Sequence, residues 1–298
     1  MPAHISRRTF LMQGTMATAA LATSAWPSGS QLKIGYAAIT WGDSIPQAIQ
    51  DITSAGYKGI QLRSNAVAQF GNRQAELLSM LEQQHLPLVM FSSGNANINT
   101  GDDEAVIKMH TDNARFVYSL KGSDMQVTNS SRPKQGNPTK EDLQKFGKLL
   151  NEIGKRTADL GVTTNYHNHM AQLGETPGEV ATILDSCDNR NVRLLLDIAH
   201  YQQGGGNPVE AISQYRERIK NIHLKDVRPL QGEDAKRYQF VELGQGTVDL
   251  PGVFKALNNI NFKGWGIVEL DAVPAKDKTP LQCANTSKAY LESIGVKI

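Results

Sequence analysis

The feature that most constrains the fold of this chain is a regular alternation of short β-rich runs with helical stretches. In the stretches between the runs, apolar residues recur three and four positions apart, as in residues 143–160. Strict strand–helix alternation produces a parallel sheet, so we expect an α/β protein. The eight runs are Lys33–Ala38, Lys58–Arg63, Leu86–Phe91, Asp124–Thr128, Val162–His167, Val192–Asp197, Ile219–His223 and Gly264–Leu270.

Eight strand–helix units within residues 31–298 fit a (β/α)8 barrel, which typically takes about 250 residues. No Pro- or Ser-rich linker divides this stretch, so we predict a single TIM barrel domain over 31–298. The alternative is an open doubly wound sheet. It is disfavoured because residues 36–41, YAAITW, follow the first strand where that fold carries a Gly-rich phosphate-binding turn.

Residues 1–30 have the features of an export signal. Arg7 and Arg8 precede an uncharged stretch, 11–25, that is rich in Ala, Thr and Met and is followed by the run WPSGS. This arrangement resembles a bacterial twin-arginine signal peptide, and an amphipathic first helix is disfavoured because the stretch has no polar face. The stretch is also too short and too weakly apolar for stable membrane insertion. We therefore expect export by the twin-arginine (Tat) machinery and a soluble, periplasmic mature protein.

Composition excludes several other classes. The chain has 31 Lys and Arg against 29 Asp and Glu, and without Arg7 and Arg8 the two counts are equal. A neutral chain has no basic footprint for nucleic acid, and 40% hydrophobic residues exclude disorder. Cys187 and Cys283 lack metal-binding spacing. They could pair in an oxidising compartment, but we favour two buried free thiols.

Histidines and carboxylates gather at the ends of the last predicted strands. Four of the seven histidines fall there, within the segments YHNH, LLDIAH and IHLKD, and IVELD ends the eighth strand. A lone histidine or aspartate at such a place is usually a packing or capping residue. Consecutive barrel strands lie about 4.8 Å apart, however, so residues from four of them would converge at the barrel mouth. These residues are His167, Asp197, His223 and Glu269.

Two imidazoles and two carboxylates suit Mn²⁺, Fe²⁺, Co²⁺ or Zn²⁺ better than Ca²⁺. We therefore predict one divalent metal ion at this mouth. A second polar residue follows two positions after three of the predicted ligands, and period-two spacing would keep both members of each pair on the inward face. The pairs are His167 with His169, His223 with Lys225, and Glu269 with Asp271. The outer members would line a substrate pocket above the metal.

The segments YHNH, LLDIAH, IHLKD, GQGTVDLPG and GWGIVELD resemble the xylose isomerase-like barrels, which include sugar phosphate isomerases and epimerases, inosose dehydratases and, more distantly, endonuclease IV. The resemblance implies a metal, often Mn²⁺, with Zn²⁺, Co²⁺, Fe²⁺ or Mg²⁺ as alternatives, held by His167, Asp197, His223 and Glu269. It also implies that His200 contacts substrate oxygens. Ketose epimerases carry glutamate in place of His167, so this chain is more similar to the inosose dehydratase branch. Gln61 likewise stands where many relatives have glutamate.

The predicted chemistry is a metal-dependent isomerisation or epimerisation of a sugar or keto-sugar through an enediolate. The alternative is a lyase that dehydrates or hydrates a keto-sugar or an inosose. We expect Glu269 to act as the base, with His200 and Lys225 as acids or oxyanion stabilisers. For contacts with the carbohydrate we expect Trp41, Arg63, His169, His200 and Lys225, whereas Asn129 and Arg132 are better explained as solvated loop residues.

Two other classes of protein fit the sequence less well. A phosphodiesterase similar to endonuclease IV is disfavoured because the early strand ends lack further His and carboxylate ligands. The four-residue constellation argues against a non-catalytic sugar-binding protein. Gly244-Gln245-Gly246-Thr247 is a weak phosphate motif and is better explained as a turn leading to Asp249 as a helix cap. A homo-oligomer is compatible with the sequence.

Overall fold

A computed structural model describes residues 32–230 and 238–298. Eight parallel strands close into a barrel in the spatial order β1, β10, β7, β6, β5, β4, β3, β2. The barrel strands are β1 (Lys33–Ala37), β2 (Ile60–Arg63), β3 (Leu88–Asn95), β4 (Asp124–Thr128), β5 (Thr163–His167), β6 (Val192–Asp197), β7 (Ile219–Leu224) and β10 (Trp265–Val268), and β8 (Asp226–Pro229) pairs antiparallel with β9 (Tyr238–Val241) in a separate hairpin. The predicted TIM barrel is confirmed. The predicted export signal lies outside the described residues.

The helices form the outer layer. They are α1 (Ile45–Ser54), α2 (Asn65–Phe70), α3 (Gln74–Gln83), α4 (Asp103–Ser119), α5 (Lys140–Ala158), α6 (Pro177–Asp185), α7 (Ile198–Gln203), α8 (Pro208–Gln214), α9 (Leu250–Asn259) and α10 (Pro280–Ser293). Side-chain caps fix several of their starts; Thr139 and Asp142 form a reciprocal capping box on α5. None of the helices within the described ranges is long and apolar enough to cross a membrane.

Two apolar layers and one polar layer stabilise the barrel. The large core lies between strands and helices, while a small second cluster includes Leu195 and Ile267. These two residues precede Asp197 and Glu269 by two positions, so they share the inward face of β6 and β10 with them. Farther from the mouth, the amides of Asn165 and Asn221 both donate to Oδ1 of Asp124, at 3.1 and 3.3 Å. The polar residues of the mouth therefore lie above the small apolar cluster, and the hydrogen bonds of Asp124 lie below that cluster.

The hairpin β8–β9 is joined to the turn that follows it by the carboxylate of Asp226. Its two oxygens accept four backbone N–H groups, from Val227, Val248, Gly244 and Gly246, at 2.9 to 3.1 Å. The N–H groups of Gly244 and Gly246 therefore donate to a protein carboxylate and are not free to bind a phosphate. The prediction of a turn leading to a helix cap is confirmed, since Asp249 accepts from Gly252 N at the start of α9.

Cys187 and Cys283 are both buried and free, so the predicted pair of free thiols is confirmed and the alternative disulfide is wrong. Cys187 donates to the carbonyls of Gly147 and Ile183 in the helix layer.

Candidate metal centre

The barrel brings four of the predicted residues to one point. His167 and Asp197 end β5 and β6, His223 lies opposite Asp197 in the register of β7, and Glu269 directly follows β10. One ligand atom from each of the four residues lies within 4.8 Å of the others, and all four side chains are buried. Neighbouring parallel strands produce this convergence because their carboxyl ends meet at the same edge.

The nitrogen and oxygen atoms of the cluster face one another closely. Nδ1 of His223 lies 3.1 Å from Nε2 of His167, and each of these nitrogens lies 3.5 Å from Oδ2 of Asp197. Nδ1 of His223 is also 3.6 Å from Oε1 of Glu269. Lone pairs at such distances repel unless a proton or a cation lies between them, so the geometry suits a bound cation.

The two carboxylate oxygens of Asp197 have different roles: Oδ1 caps a helix, and Oδ2 faces the proposed metal position. Oδ1 caps α7 by accepting from the backbone N–H groups of Ala199 and His200, at 3.0 and 2.9 Å. Oδ2 is buried and makes no hydrogen bond within the described residues, although it faces both imidazoles. A buried carboxylate oxygen without a donor is costly, and a metal ion would satisfy it.

Asn168 holds the backbone of Asp197 in place, and sequence reasoning missed this role. Its Nδ2 donates to the carbonyl of Asp197 at 3.0 Å, and its Oδ1 accepts from the N–H of Asp197 at 2.9 Å. Asn168 is buried at the mouth end of β5. A buried amide directly after His167 was the available signal, because a buried polar side chain requires partners.

Burial opposes charge on the carboxylates, yet their neighbours keep them ionised. For Asp197, burial raises the pKa, but the nearby His200, Lys225 and the two ligand imidazoles bring it well below the ordinary value. For Glu269, burial is again outweighed, chiefly by His223 and Lys225, which lower the pKa to about 2. Both groups are therefore acceptors at neutral pH.

The imidazoles of His167 and His200 are held neutral by the same burial. Desolvation lowers the pKa of His167 to about 4 and lowers that of His200 well below its usual value. Neutral imidazole is the form that ligates a metal ion. Three carboxylates, those of Asp197, Glu269 and Asp271, and one ammonium, that of Lys225, leave two negative charges here, which one divalent cation would balance.

Lys225 is not one of the four ligands, but its ammonium group contacts one of them and two further polar side chains. Its Nζ donates to Oε1 of Glu269 at 3.0 Å and to Oδ1 of Asp271 at 2.7 Å, and it lies 3.3 Å from Nε2 of His200. The ring of Phe240, from β9, covers it with the centroid 4.2 Å away. Burial alone would lower the pKa of Lys225, but the carboxylates of Glu269 and Asp271 raise it, so the ammonium is protonated.

His169 and His200 form a stacked pair beside this ammonium, with ring centroids 3.8 Å apart. Since Nε2 of His200 faces the ammonium of Lys225, the ring proton belongs on Nδ1, which makes no hydrogen bond within the described residues. The outer residues His169, Lys225 and Asp271 thus lie beside the ligands, as the two-residue spacing predicts.

Two other predicted contact residues, Trp41 and Arg63, form no hydrogen bond or ion pair with the four ligands among the described residues. Trp41 is buried, donates from Nε1 to Asp51 of α1 and packs edge-on against Tyr36; none of these contacts involves the four ligands. Arg63 is half-buried at the end of β2, two residues beyond Gln61, and makes no hydrogen bond or ion pair with another described residue. Arg132 lies in the loop after β4 and pairs with Glu179 in the first turn of α6. Asn129 is fully buried, so the prediction of a solvated loop position is wrong for that residue.

A closed parallel barrel with a buried His and carboxylate cluster at the carboxyl ends of its strands defines a TIM barrel protein with a metal-type site at its mouth. The family model described as xylose isomerase-like TIM barrel matches residues 49–294. The chain therefore belongs to that family.

Relatives of similar length are named inosose dehydratase. The protein from Lacticaseibacillus casei is 26% identical over 296 residues, which cover 88% of this chain and 97% of that one. The protein from Clostridium botulinum strain Alaska E43 is 27% identical over 303 residues, covering 89% and 98%.

Solved structures share the fold. The IolI protein with a bound zinc atom superposes with a TM-score of 0.74 at 20% identity, covering 89% of this chain and 98% of that one. The 3-keto-D-glucoside 4-epimerase from E. coli superposes with a TM-score of 0.71 at 17% identity, covering 88% and 100%.

Proposed function

We propose that this protein is a divalent-metal-dependent lyase that removes water from a keto-sugar or an inosose. The observation that carries the proposal is the carboxylate of Glu269, which is placed next to the donor pair of Lys225 and His200. Dehydration next to a carbonyl needs one base for the α-proton and one acid for the departing hydroxyl. The relatives named inosose dehydratase, which align over most of the chain, favour the same reaction.

His167, Asp197, His223 and Glu269 would hold the metal ion. When bound, the ion would polarise the substrate carbonyl and acidify the neighbouring C–H bond. The donor set suits Mn²⁺, Fe²⁺, Co²⁺ or Zn²⁺; Mn²⁺ stays our prediction from the sequence, and Zn²⁺ is tested beside it.

Glu269 is the proposed proton acceptor. Its carboxylate is ionised and oriented at both oxygens, by Lys225 on Oε1 and by Gln61 on Oε2 at 3.1 Å. A positioned carboxylate can take the α-proton when the substrate carbon lies within reach. The C–H electron pair then forms the enediolate, and the hydroxyl on the next carbon leaves with the C–O bonding pair.

Lys225 and His200 are the proposed donors. Nδ1–H of His200 protonates the departing hydroxyl, while Lys225 returns a proton to Nε2 across the 3.3 Å contact. The products are one water molecule and an unsaturated carbonyl compound, which becomes a deoxy-diketone when the enol takes up a proton at carbon. Phe240 covers Lys225 and shields this path from water.

The test is incubation of the metal-loaded protein with a panel of inososes, ketoses and 3-keto-glycosides in D₂O, followed by NMR. We expect exchange of the α-hydrogen together with a dehydrated product. Exchange that creates a new stereocentre without loss of water would establish the epimerase alternative. Absence of bound metal and of exchange on every substrate would overturn both.

The epimerase alternative is supported by the breadth of the family. It is weakened by His167, because a two-base epimerisation places a second carboxylate where this imidazole stands. Export to the periplasm through the twin-arginine pathway remains a prediction from residues 1–30, and cell fractionation with detection of the processed chain would test it.

A further inference from the structure

Gln61 contacts two of the proposed ligands from the end of β2. Its Oε1 lies 2.8 Å from Nε2 of His223, and its Nε2 lies 3.1 Å from Oε2 of Glu269. The side chain is fully buried, with 1% of its surface exposed. Gln61 therefore connects the ligands on β7 and directly after β10 to strand β2, which is separated from β10 by β1.

The two contacts determine the orientation of the Gln61 side-chain amide, that is, which partner faces its oxygen and which faces its nitrogen. Glu269 is an ionised acceptor, so the group facing its Oε2 must be the NH₂ of Gln61. The carbonyl oxygen of Gln61 then faces His223 and can only accept, so the proton of that imidazole belongs on Nε2. Nδ1 of His223 is left with its lone pair directed at the other ligands, 3.5 Å from Oδ2 of Asp197.

His167 provides the contrast. Its Nδ1 is buried and has no hydrogen-bond partner within the described residues, so no comparable contact selects its tautomer. His223 is the imidazole whose ligating nitrogen is selected in advance. An imidazole held by its distal N–H binds a metal ion more tightly than one that must first reorient.

We propose that Gln61 is a positioning residue that fixes the Nε2–H tautomer of His223 and the orientation of Glu269, and so preorganises the metal centre. The inference rests on the metal site of the proposed function. The amide is suited to this task because it donates and accepts at once. A carboxylate at this position would still accept from His223 but would face Glu269 with like charge at about 3 Å.

Two variants separate these contacts. Gln61→Met removes both hydrogen bonds at similar length, and Gln61→Glu keeps an acceptor for His223 while removing the donor to Glu269. Gln126→Met is the matched control, because Gln126 is also a buried barrel glutamine but donates to Ser92. The full chain is used throughout, and circular dichroism and thermal unfolding confirm that each variant folds.

The first readout is the tautomer of His223 in the chelator-treated protein, measured from long-range ¹H–¹⁵N imidazole correlations and assigned with His223→Asn. The second is the affinity for Zn²⁺, measured by chelator competition. We expect an Nε2–H tautomer in the wild type, in Gln61→Glu and in Gln126→Met, and a mixture of tautomers in Gln61→Met. Zn²⁺ affinity should fall about 10- to 100-fold in Gln61→Met and stay unchanged in Gln126→Met.

The outcomes distinguish this inference from the proposed function. A proton on Nδ1 of His223 in the wild type, or a Gln61→Met protein with unchanged tautomer and Zn²⁺ affinity, would overturn the role of Gln61. If Gln61→Met does not fold, loss of the Nε2–H tautomer in Gln61→Glu would overturn it as well. A wild type that binds no metal but shows the expected tautomer would overturn the proposed function and leave the positioning contact supported.

Discussion

Nδ1 of His223 and Nε2 of His167 lie 3.1 Å apart, and both side chains are buried. One proton can bridge the two nitrogens, and one cation can replace that proton. The unpaired Oδ2 of Asp197 faces the same space, 3.5 Å from each nitrogen. These three lone-pair atoms face one point. The positive charge that occupies this point, a proton or a metal ion, should therefore change the free energy of unfolding.

Metal removal should destabilise the protein. A ligand that binds only the folded state adds about 2.7 kcal/mol to the free energy of unfolding at a free concentration of 100 times its Kd. We expect the free energy of unfolding by denaturant to be lower by about this amount in buffer with EDTA than in buffer with Zn²⁺ or Mn²⁺. Asp197→Asn should abolish the difference, whereas the exposed Asp277→Asn should keep it. Equal stability of the wild type in metal and in chelator would contradict the site.

The barrel and the ligand cluster were predictable because both depend on local patterns. Strand–helix alternation with short connections allows few topologies, and parallel strands place their carboxyl ends at one edge. Once the strand ends were identified, His167 and Glu269 had to lie near each other despite their distance in sequence. The period of two also placed Lys225 on the same face as His223.

The rest depended on contacts between distant segments, which no local pattern encodes. Trp41 follows β1 at the mouth, but its indole bonds to Asp51 in the helix layer, ten residues away. The hairpin β8–β9 was not predicted, although it brings Phe240 over Lys225. Asp226 ends the segment IHLKD, and only the folded chain shows that four N–H groups converge on its carboxylate.

Lys225→Met should separate proton donation from metal binding. The substitution leaves Glu269 and Asp271 without their ammonium partner, and loss of one member of a buried ion pair costs about 3–5 kcal/mol. Dehydration should be lost, but bound metal should not decrease, because the pocket becomes more negative. Lys278→Met, which removes an ion pair to Glu242 outside the cluster, should keep activity. Full activity in Lys225→Met would refute its role as donor.

Stability should fall in mild acid because of His110. This residue is buried in α4 with Nδ1 2.6 Å from Oγ of Ser93, and burial lowers its pKa to about 4. The unfolded chain takes up a proton near pH 6.5 while the folded protein does not. The contribution is therefore fully present above about pH 6.5 and is lost as the pH falls toward 4, by up to about 3 kcal/mol.

The difference in unfolding free energy between wild type and His110→Gln, followed against pH, isolates this contribution, because both proteins contain the ligand histidines. The free energy of unfolding of the metal-saturated protein is measured with denaturant at several pH values between about 7 and 4. Its slope against pH should be smaller for His110→Gln than for the wild type. The exposed His85→Gln should retain the wild-type slope. Identical slopes in all three proteins would mean that His110 is protonated in the folded state.

Glu269→Gln should abolish exchange of the substrate α-hydrogen while the barrel remains folded. The amide cannot accept the proton, and the loss of a general base costs about 10²- to 10⁴-fold in rate. Because Glu269 is also a proposed ligand, metal content is measured alongside by mass spectrometry. The exposed Glu292→Gln is the control. If Glu269→Gln retains full exchange activity, the base is another residue.

Asp226→Asn should loosen the hairpin that covers the site. The amide nitrogen of the variant would face two of the four N–H groups that the carboxylate now accepts, so at least two hydrogen bonds to a charged group are lost. Such bonds contribute about 1.5–3 kcal/mol each, enough to open a segment without unfolding the barrel. Hydrogen exchange should accelerate at the amides of Gly244, Gly246 and Val248.

Asp249→Asn is the matched control, because Asp249 lies close in sequence but caps only α9. Asn is also a good cap, so exchange at Gly244 and Gly246 should stay slow in this variant. If Phe240 shields the ammonium of Lys225 as proposed, Asp226→Asn should lose dehydration activity while its Zn²⁺ content stays at the wild-type level. Faster exchange with unchanged activity would mean that the hairpin covers the mouth without contributing to the chemistry.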